Sequence, residues 1–154
     1  MEIEKEIKSS VHLNNAKKVV LNLLFTENIV AERLNIILKP FDISAEQFNV
    51  LRILRGQKGK AINMGAIQER MLARNSNTTR LVDKLLLKKF VMRANCVVNR
   101  RKIEVTILQD GLDVLSALDP LIIEHEQHFA NNLTSEEISM LNILLEKYRN
   151  QTSI

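Results

Sequence analysis

The stretch Asn75-Ser76-Asn77-Thr78-Thr79-Arg80-Leu81-Val82-Asp83-Lys84-Leu85-Leu86-Leu87-Lys88-Lys89 decides how the chain is to be read. At about 100° per residue, Thr78, Leu81, Val82, Leu85 and the stem of Lys89 fall around one face of a helix, whereas Ser76, Arg80 and Lys84 point the other way with Asn77 beside them. Asn75 has the chemistry of an N-cap, so the spacing predicts a helix from there to Lys89. The composition then changes character. Phe90-Val91-Met92-Arg93-Ala94 and Ile103-Glu104-Val105-Thr106-Ile107 are β-rich runs, the second alternating apolar and polar, and they predict a strand pair. The residues between them end in Asn99-Arg100-Arg101-Lys102, three adjacent cations at a hairpin tip.

Upstream, Ser44-Ala45-Glu46-Gln47 has the capping-box spacing, in which the serine hydroxyl accepts from the third helical N–H and Gln47 reaches back. A helix over 45–55 follows, burying Phe48, Leu51, Ile53 and Leu54. Gly56-Gln57-Lys58-Gly59-Lys60 breaks the pattern, and Asn63 is placed to cap a short helix through about Met71 with Ile67 and Met71 inward. A short helix, a tight turn, a second helix with a cationic outer face and a cation-tipped hairpin make up a winged helix-turn-helix. A plain antiparallel helix pair would not require the charged hairpin.

Charge supports that reading. Residues 52–102 hold 14 Lys or Arg against only Glu69 and Asp83, and the rest of the chain holds 8 basic against 16 acidic residues. The middle is therefore about +12 and the remainder about −8, which the net charge of +4 conceals. A block of one sign on one part of a fold points to a polyanion partner.

The remaining patterns are helical. Residues 12–38 place Ala16, Val19, Val20, Leu23, Leu24, Val30, Leu34, Ile37 and Leu38 at helical spacing, and Pro40 ends the run. Its first half is apolar on more than one side, so it is expected to touch two partners, one of them another subunit. Residues 110–133 put Leu112, Leu115, Leu118, Ile122 and Phe129 near one side and contain Pro120, where a continuous helix should kink. Thr134-Ser135-Glu136-Glu137 is a second capping box, opening a helix to about Arg149 with Ile138, Leu141, Leu144, Leu145 and Tyr148 inward.

Length and composition bound the rest. The 154 residues, 45% hydrophobic, fit one folded domain. Four Gly, two Pro and 4% aromatic residues favour helices with aliphatic cores. One cysteine allows no intrachain disulfide. No secretory leader and no apolar run near the roughly 18 residues of a membrane span is visible, so a cytoplasmic protein with no membrane partner is expected. There is no phosphate-binding glycine loop, nucleophile elbow or triad spacing, and an enzyme is not expected. His125 and His128, beside Glu124 and Glu126, could join His12 at a metal, but no third ligand is fixed by local spacing, and ordinary surface histidines weigh more. Cys96 stands near Arg93, Arg100 and Arg101, which would lower a thiol pKa; a half-buried strand residue is the weightier reading. No cofactor is expected.

The run Thr79-Arg80-Leu81-Val82-Asp83-Lys84-Leu85, then Asn99-Arg100-Arg101, Val105-Thr106-Ile107 and Gly111, resembles the MarR family of bacterial transcription regulators. The order of elements agrees over nearly the whole chain, including Leu133-Thr134-Ser135-Glu136-Glu137 before the last helix. The resemblance implies a mainly α fold with a small β-hairpin wing. It implies one MarR-like domain over 1–154, with a winged helix-turn-helix over 42–109 and a helical dimerisation region from 10–41 and 110–150. It further implies a homodimer on a pseudo-palindromic double-stranded operator, often a repressor relieved by a small-molecule effector.

Residue by residue, the DNA-binding set is Ser76, Asn77, Thr79, Arg80 and Lys84 on the recognition helix and Arg100, Arg101 and Lys102 on the wing. Asn99 replaces the aspartate usual in the family's wing, removing an ion-pair partner for its arginines. Leu108 stands where a capping threonine is common, so Asp110 is expected to open the following helix. The family's ligand pocket would bring Phe25, Leu51 and Ile122 together, residues that equally suit the core. The reading from another class is a winged-helix adaptor for proteins, whose mark would be an apolar outer face on the second helix. Ser76, Asn77, Arg80 and Lys84 can instead donate to phosphates and base edges.

Overall fold

The computed structural model describes residues 2–95 and 103–150, which form two compact units, one over residues up to Leu115 and one from Ser116 onward. In the first unit a short helix α1 (Ile3–Glu6) precedes the long α2 (Asn15–Leu38). Two apolar side chains, Ile3 and Leu13, are buried in this N-terminal segment. The Glu4 carboxylate accepts from Lys18 Nζ at 2.8 Å and from the Leu13 N–H at 3.4 Å. The Lys18 hydrogen bond holds the Glu4 carboxyl below its ordinary range. Four residues of helix are too few to show a period, so α1 left no signal in the sequence.

Asn14 caps α2 by accepting from the Lys17 N–H at 2.9 Å, and the helix stops at Leu38. Pro40 lacks the N–H that another turn would need, so the chain tightens into a 3-10 turn at Lys39–Phe41 and reverses at Asp42, whose φ is +53°. The Ser44 box then forms as expected: Gln47 N–H donates to Ser44 Oγ at 3.2 Å, and Ser44 N–H donates to Gln47 Oε1 at 2.9 Å. It opens α3 (Ala45–Arg55), which buries Phe48, Val50, Leu51 and Leu54. Leu51 is core, and Ile53 is only half-buried.

Strand β1 (Ile62–Asn63) leads into α4 (Met64–Arg70), capped by Asn63, and then α5 (Thr78–Leu87), β2 (Val91–Asn95) and β3 (Ile103–Ile107) follow. The sheet is antiparallel in the order β1-β3-β2, with Ile62 opposite Val105 and Val91 opposite Ile107. Ile67, Val82, Leu85, Val91, Val105 and Leu115 are essentially fully buried with Leu51 and Leu54. Each such side chain is worth about 1.5–3 kcal/mol of transfer free energy, so this cluster holds the helix-turn-helix and its sheet as one body.

Two boundaries of α5 differ from expectation. Its N-cap is Asn77, whose Oδ1 accepts from the Arg80 N–H at 3.1 Å, and Asn75 lies in the preceding turn. At the other end Lys89 adopts φ +60° and is exposed, so its stem does not belong to the inner face. The Lys89 N–H donates to Leu86 O at 2.9 Å and the Phe90 N–H to Leu85 O at 3.0 Å. That pair of bonds is a Schellman cap, here formed by lysine where glycine is usual.

Helix α6 (Gln109–Ala130) starts one residue earlier than Asp110. Leu108 takes the capping position through its main chain: its N–H donates to Phe90 O at 2.9 Å and its carbonyl accepts from the Leu112 N–H at 3.1 Å. A sheet-type bond thus runs directly into the helix, and no side-chain cap is required. Three residues on, the backbone of Gly111 lies so close to Phe90 that a Cβ there would sit 2.4 Å from the Phe90 carbonyl oxygen.

In the second unit α6 continues unbroken through Pro120 and ends at Ala130. Leu118 and His125 are buried. The His125 ring meets Phe129 edge-on at 5.4 Å, and so does His128 at 5.1 Å. The burial of His125 corrects the expectation of a surface histidine: it falls on the same helical stripe as Leu118, Ile122 and Phe129. Helix α7 (Ser135–Arg149) has the expected capping box, with Thr134 and Glu137 bonding each other's N–H groups at 2.8 and 3.2 Å. Its apolar stripe, expected inward, is not inward in the single chain: Leu141, Leu144 and Tyr148 are each about half exposed. A stripe at helical spacing shows that something covers it, not that the same chain does.

Candidate nucleic-acid interface

The turn joining α4 to α5 is braced by side chains on three sides. Asn49 of α3 accepts the Leu72 N–H at 2.9 Å. Gln68 of α4 donates to Arg74 O at 2.8 Å and accepts from the Thr78 hydroxyl at the first residue of α5. Arg74 in turn donates to Glu69 O at 3.1 Å, and Arg70 to Ala66 O at 2.7 Å. Sequence reading missed Asn49 and Gln68, because polar residues inside helices carry no periodic signal that distinguishes a brace from a solvated side chain. Their effect is to fix the direction in which α5 leaves the turn.

With Thr78, Val82 and Leu85 turned into the core, Thr79, Arg80, Asp83, Lys84 and Leu87 form the exposed side of α5. Of the anticipated site residues, Thr79, Arg80 and Lys84 therefore share that face. Ser76 is half-buried in the turn, its N–H donating to Ala73 O at 3.1 Å, and Asn77 spends its side-chain oxygen on the cap. The structure thus brings Ser76 and Asn77 to the entrance of the face and not onto it. Arg100, Arg101 and Lys102, with Cys96 and Asn99, lie outside the described residues.

Charge on this surface is divided between committed and uncommitted groups. Asp83, the one acid on the exposed side of α5, accepts from Arg93 Nη1 of β2 at 2.9 Å, which ties α5 to the sheet. Lys88 donates to the Asp42 main-chain carbonyl at 2.6 Å and to its carboxylate. That hydrogen bond, with the ammonium's charge, holds the Asp42 carboxyl below its usual range. Arg52 lies over the Phe48 ring at 5.7 Å. Arg80 and Lys84 have no ion-pair partner among the described residues. A guanidinium and an ammonium left free on a rigid, outward face are suited to bidentate and point contacts with anionic groups.

One feature of the face was not foreseen. Leu72 in the turn is 85% exposed and Leu87 on α5 is 86% exposed, so the cationic surface carries two apolar points. At 100° per residue, Leu87 lies between Asp83 and Arg80, near the middle of the exposed side.

No curated protein sequence matches the chain. A family model described as MarR family matches residues 43–103, the span from the start of α3 to β3. Among solved structures, a MarR transcription factor from Planctomyces limnophilus is 26% identical, with 88% of this chain and 98% of that one covered and a TM-score of 0.68. A mutant MarR from E. coli in complex with operator DNA is 23% identical over 89% of this chain and 99% of that one, with a TM-score of 0.77. BpsR from Bordetella bronchiseptica, described in terms of regulation of its DNA binding by 6-hydroxynicotinic acid, is 19% identical over 92% and 99%, with a TM-score of 0.80. The fold is therefore shared along about nine-tenths of the chain, and it is residues 43–103, the winged-helix part, that match the model described as MarR family.

Proposed function

We propose that this protein regulates transcription by binding a pseudo-palindromic double-stranded operator as a homodimer, acting as a repressor relieved by a small ligand. The observation that carries the DNA reading is the exposed side of α5, where Thr79, Arg80 and Lys84 stand together on a braced helix within the one strongly basic segment of the chain. In that arrangement Arg80 would address guanine acceptors in the major groove, Lys84 a phosphate, and Thr79 a base edge or phosphate. Ser76 and the Asn77 backbone would meet phosphate at the entry to the groove. Arg100, Arg101 and Lys102 would reach the flanking backbone or minor groove from the wing.

Dimerisation is supported by apolar surface that the single chain leaves open. Val19, Val20 and Leu24 of α2, and Met140, Leu141, Ile143 and Leu144 of α7, are each between 42 and 58% exposed. Apolar residues left open along a helix mark an association site, and a two-fold pairing would bury each set. The likeness to BpsR and to the operator-bound MarR is consistent with an operator-binding, ligand-responsive role. Among the described residues no helix is long and apolar enough to cross a membrane.

The second reading, a winged-helix adaptor that docks proteins, draws on Leu72 and Leu87, whose exposure is more apolar than a purely electrostatic surface needs. Fluorescence-anisotropy titration of duplex DNA over a range of salt concentrations separates the two. DNA binding by several cations per subunit gives a log–log slope of roughly −0.9 per neutralised phosphate. A flat response with no duplex preference would favour the adaptor.

A further inference from the structure

We propose that Leu87 reads the C5-methyl group of a thymine in the operator, about three base pairs from the base that Arg80 addresses, so that α5 lies along the major groove over the whole length of its exposed side. The inference rests on the reading of α5 as a DNA-binding helix given above, and adds to it one residue and one base.

Leu87 is the most exposed large apolar side chain among the described residues. A single surface leucine is ordinary; its position is what sets this one apart. Arg80, Asp83, Lys84 and Leu87 stand at i, i+3, i+4 and i+7 of α5, and all four are exposed. A helix that lies along the major groove offers those positions to the base edges, whereas one that enters by its N-terminus uses its first turn alone. Asp83 would repel phosphates and the acceptor edge of guanine, but Arg93 holds its carboxylate at 2.9 Å. The stripe therefore presents a guanidinium, an ammonium and, at its far end, an apolar group.

These three chemistries select different partners. Lys84 suits a phosphate, and Arg80 suits the O6 and N7 acceptors of guanine. Leucine neither donates nor accepts, and the apolar group that bases display in the major groove is the thymine methyl. The register follows from helix geometry. Seven residues at about 1.5 Å each set Leu87 about 10.5 Å beyond Arg80 along the axis, which is about three base pairs at roughly 3.4 Å per step.

The test starts from a pool of random-sequence duplexes. Those bound by the parent protein give a consensus, and each of its thymines is replaced in turn by deoxyuridine, which lacks only the methyl, with Kd read by fluorescence anisotropy. One thymine per half-site, about three base pairs from the guanine whose preference Arg80→Ala loses, is expected to show an effect. Uracil there should weaken binding about fourfold in one half-site and about fifteenfold in both, the scale of one covered carbon per site. In Leu87→Ala and Leu87→Gln, exposed substitutions by good helix formers whose folding circular dichroism checks, thymine and uracil should bind equally. Leu72→Ala, at an equally exposed leucine in the turn, should keep the full thymine preference. Equal affinity for thymine and uracil at every position in the parent overturns the inference and leaves the DNA reading standing. A thymine preference that survives both Leu87 substitutions also overturns it, because the methyl would then act through another side chain or through DNA shape. A parent protein that selects no consensus and binds no duplex brings down the DNA reading itself, and this inference with it.

Discussion

Replacing Gly111 by alanine tests how the winged-helix domain is joined to α6. A Cβ at this position would lie 2.4 Å from Phe90 O, 3.0 Å from Ile107 Cγ1 and 3.2 Å from the Phe90 carbonyl carbon. The nearest obstacle is backbone and cannot rotate away, and the Phe90 carbonyl is further held by the Leu108 N–H at 2.9 Å. To restore an acceptable contact the start of α6 and the β2 corner must separate by more than half an ångström, straining packing and the Leu108 bond together. Overpacking of this kind costs about 1–3 kcal/mol, and weakening the hydrogen bond adds about 1 kcal/mol. Against this stands the gain of up to about 1 kcal/mol from alanine over glycine in a helix, less in the first turn. The net expectation is a loss of about 1–3 kcal/mol, which lowers Tm by roughly 2–4 °C per kcal/mol in a chain of this length. Urea unfolding followed by circular dichroism at fixed protein concentration measures it, and the midpoint should fall without a change in slope. A variant as stable as the parent would show that the helix is not seated on the sheet edge as described.

The other expectations follow from particular contacts. Because Lys88 depresses the folded carboxyl of Asp42 below its ordinary 3.8, that pair's stabilisation is present above this value and is lost as pH falls through the folded value; Asp42→Asn should flatten the stability profile in that acid window, and an unaltered profile would remove the pair from consideration. Arg80→Ala should narrow the gap between operator and scrambled DNA by about 1–3 kcal/mol, whereas Arg101→Ala should weaken all duplexes by a similar factor, both read by anisotropy with circular dichroism confirming folding. Sedimentation should show a two-chain species, and Leu144→Glu, at a position 53% exposed in the single chain, should shift it toward the 17.7 kDa monomer; a parent that sediments only as monomer would refute the dimer.

Much of this architecture was legible because its signals are local. Ser44 and Thr134 announce their helices through capping boxes, and Asn63 does so through its side-chain oxygen. Pro40 stops α2 by lacking a donor. The inner face of α5 was legible from its period, but its ends were not: three candidate caps stand in a row at Asn75, Ser76 and Asn77, and only the bracing of the turn by Asn49 and Gln68 selects the last of them. The exit was equally hidden, since lysine at φ +60° supplies a cap that sequence would assign to glycine. Strand β1 has two residues and exists because β3 pairs with it. The stripe on α7 was legible as apolar and was expected inward, in a region assigned to dimerisation; in the single chain Leu141, Leu144 and Tyr148 stay about half exposed, because periodicity identifies a buried face without identifying what buries it. For the site, Thr79, Arg80 and Lys84 were legible as an outer face. The ion pairs that commit Lys88 and Arg93, and so single out Arg80 and Lys84, depend on Asp42 and Asp83, which sequence separation gave no means to connect.

The most direct measurement is selection of bound fragments from the source genome, carried out with the parent protein and with Arg80→Ala side by side. Enrichment of fragments sharing a pseudo-palindrome, with half-sites about one helical turn apart and with a guanine preference that the variant loses, is the expected result. Fragments enriched without any common sequence, or a motif that Arg80→Ala recovers unchanged, would contradict the assignment of the α5 face to sequence-specific DNA binding.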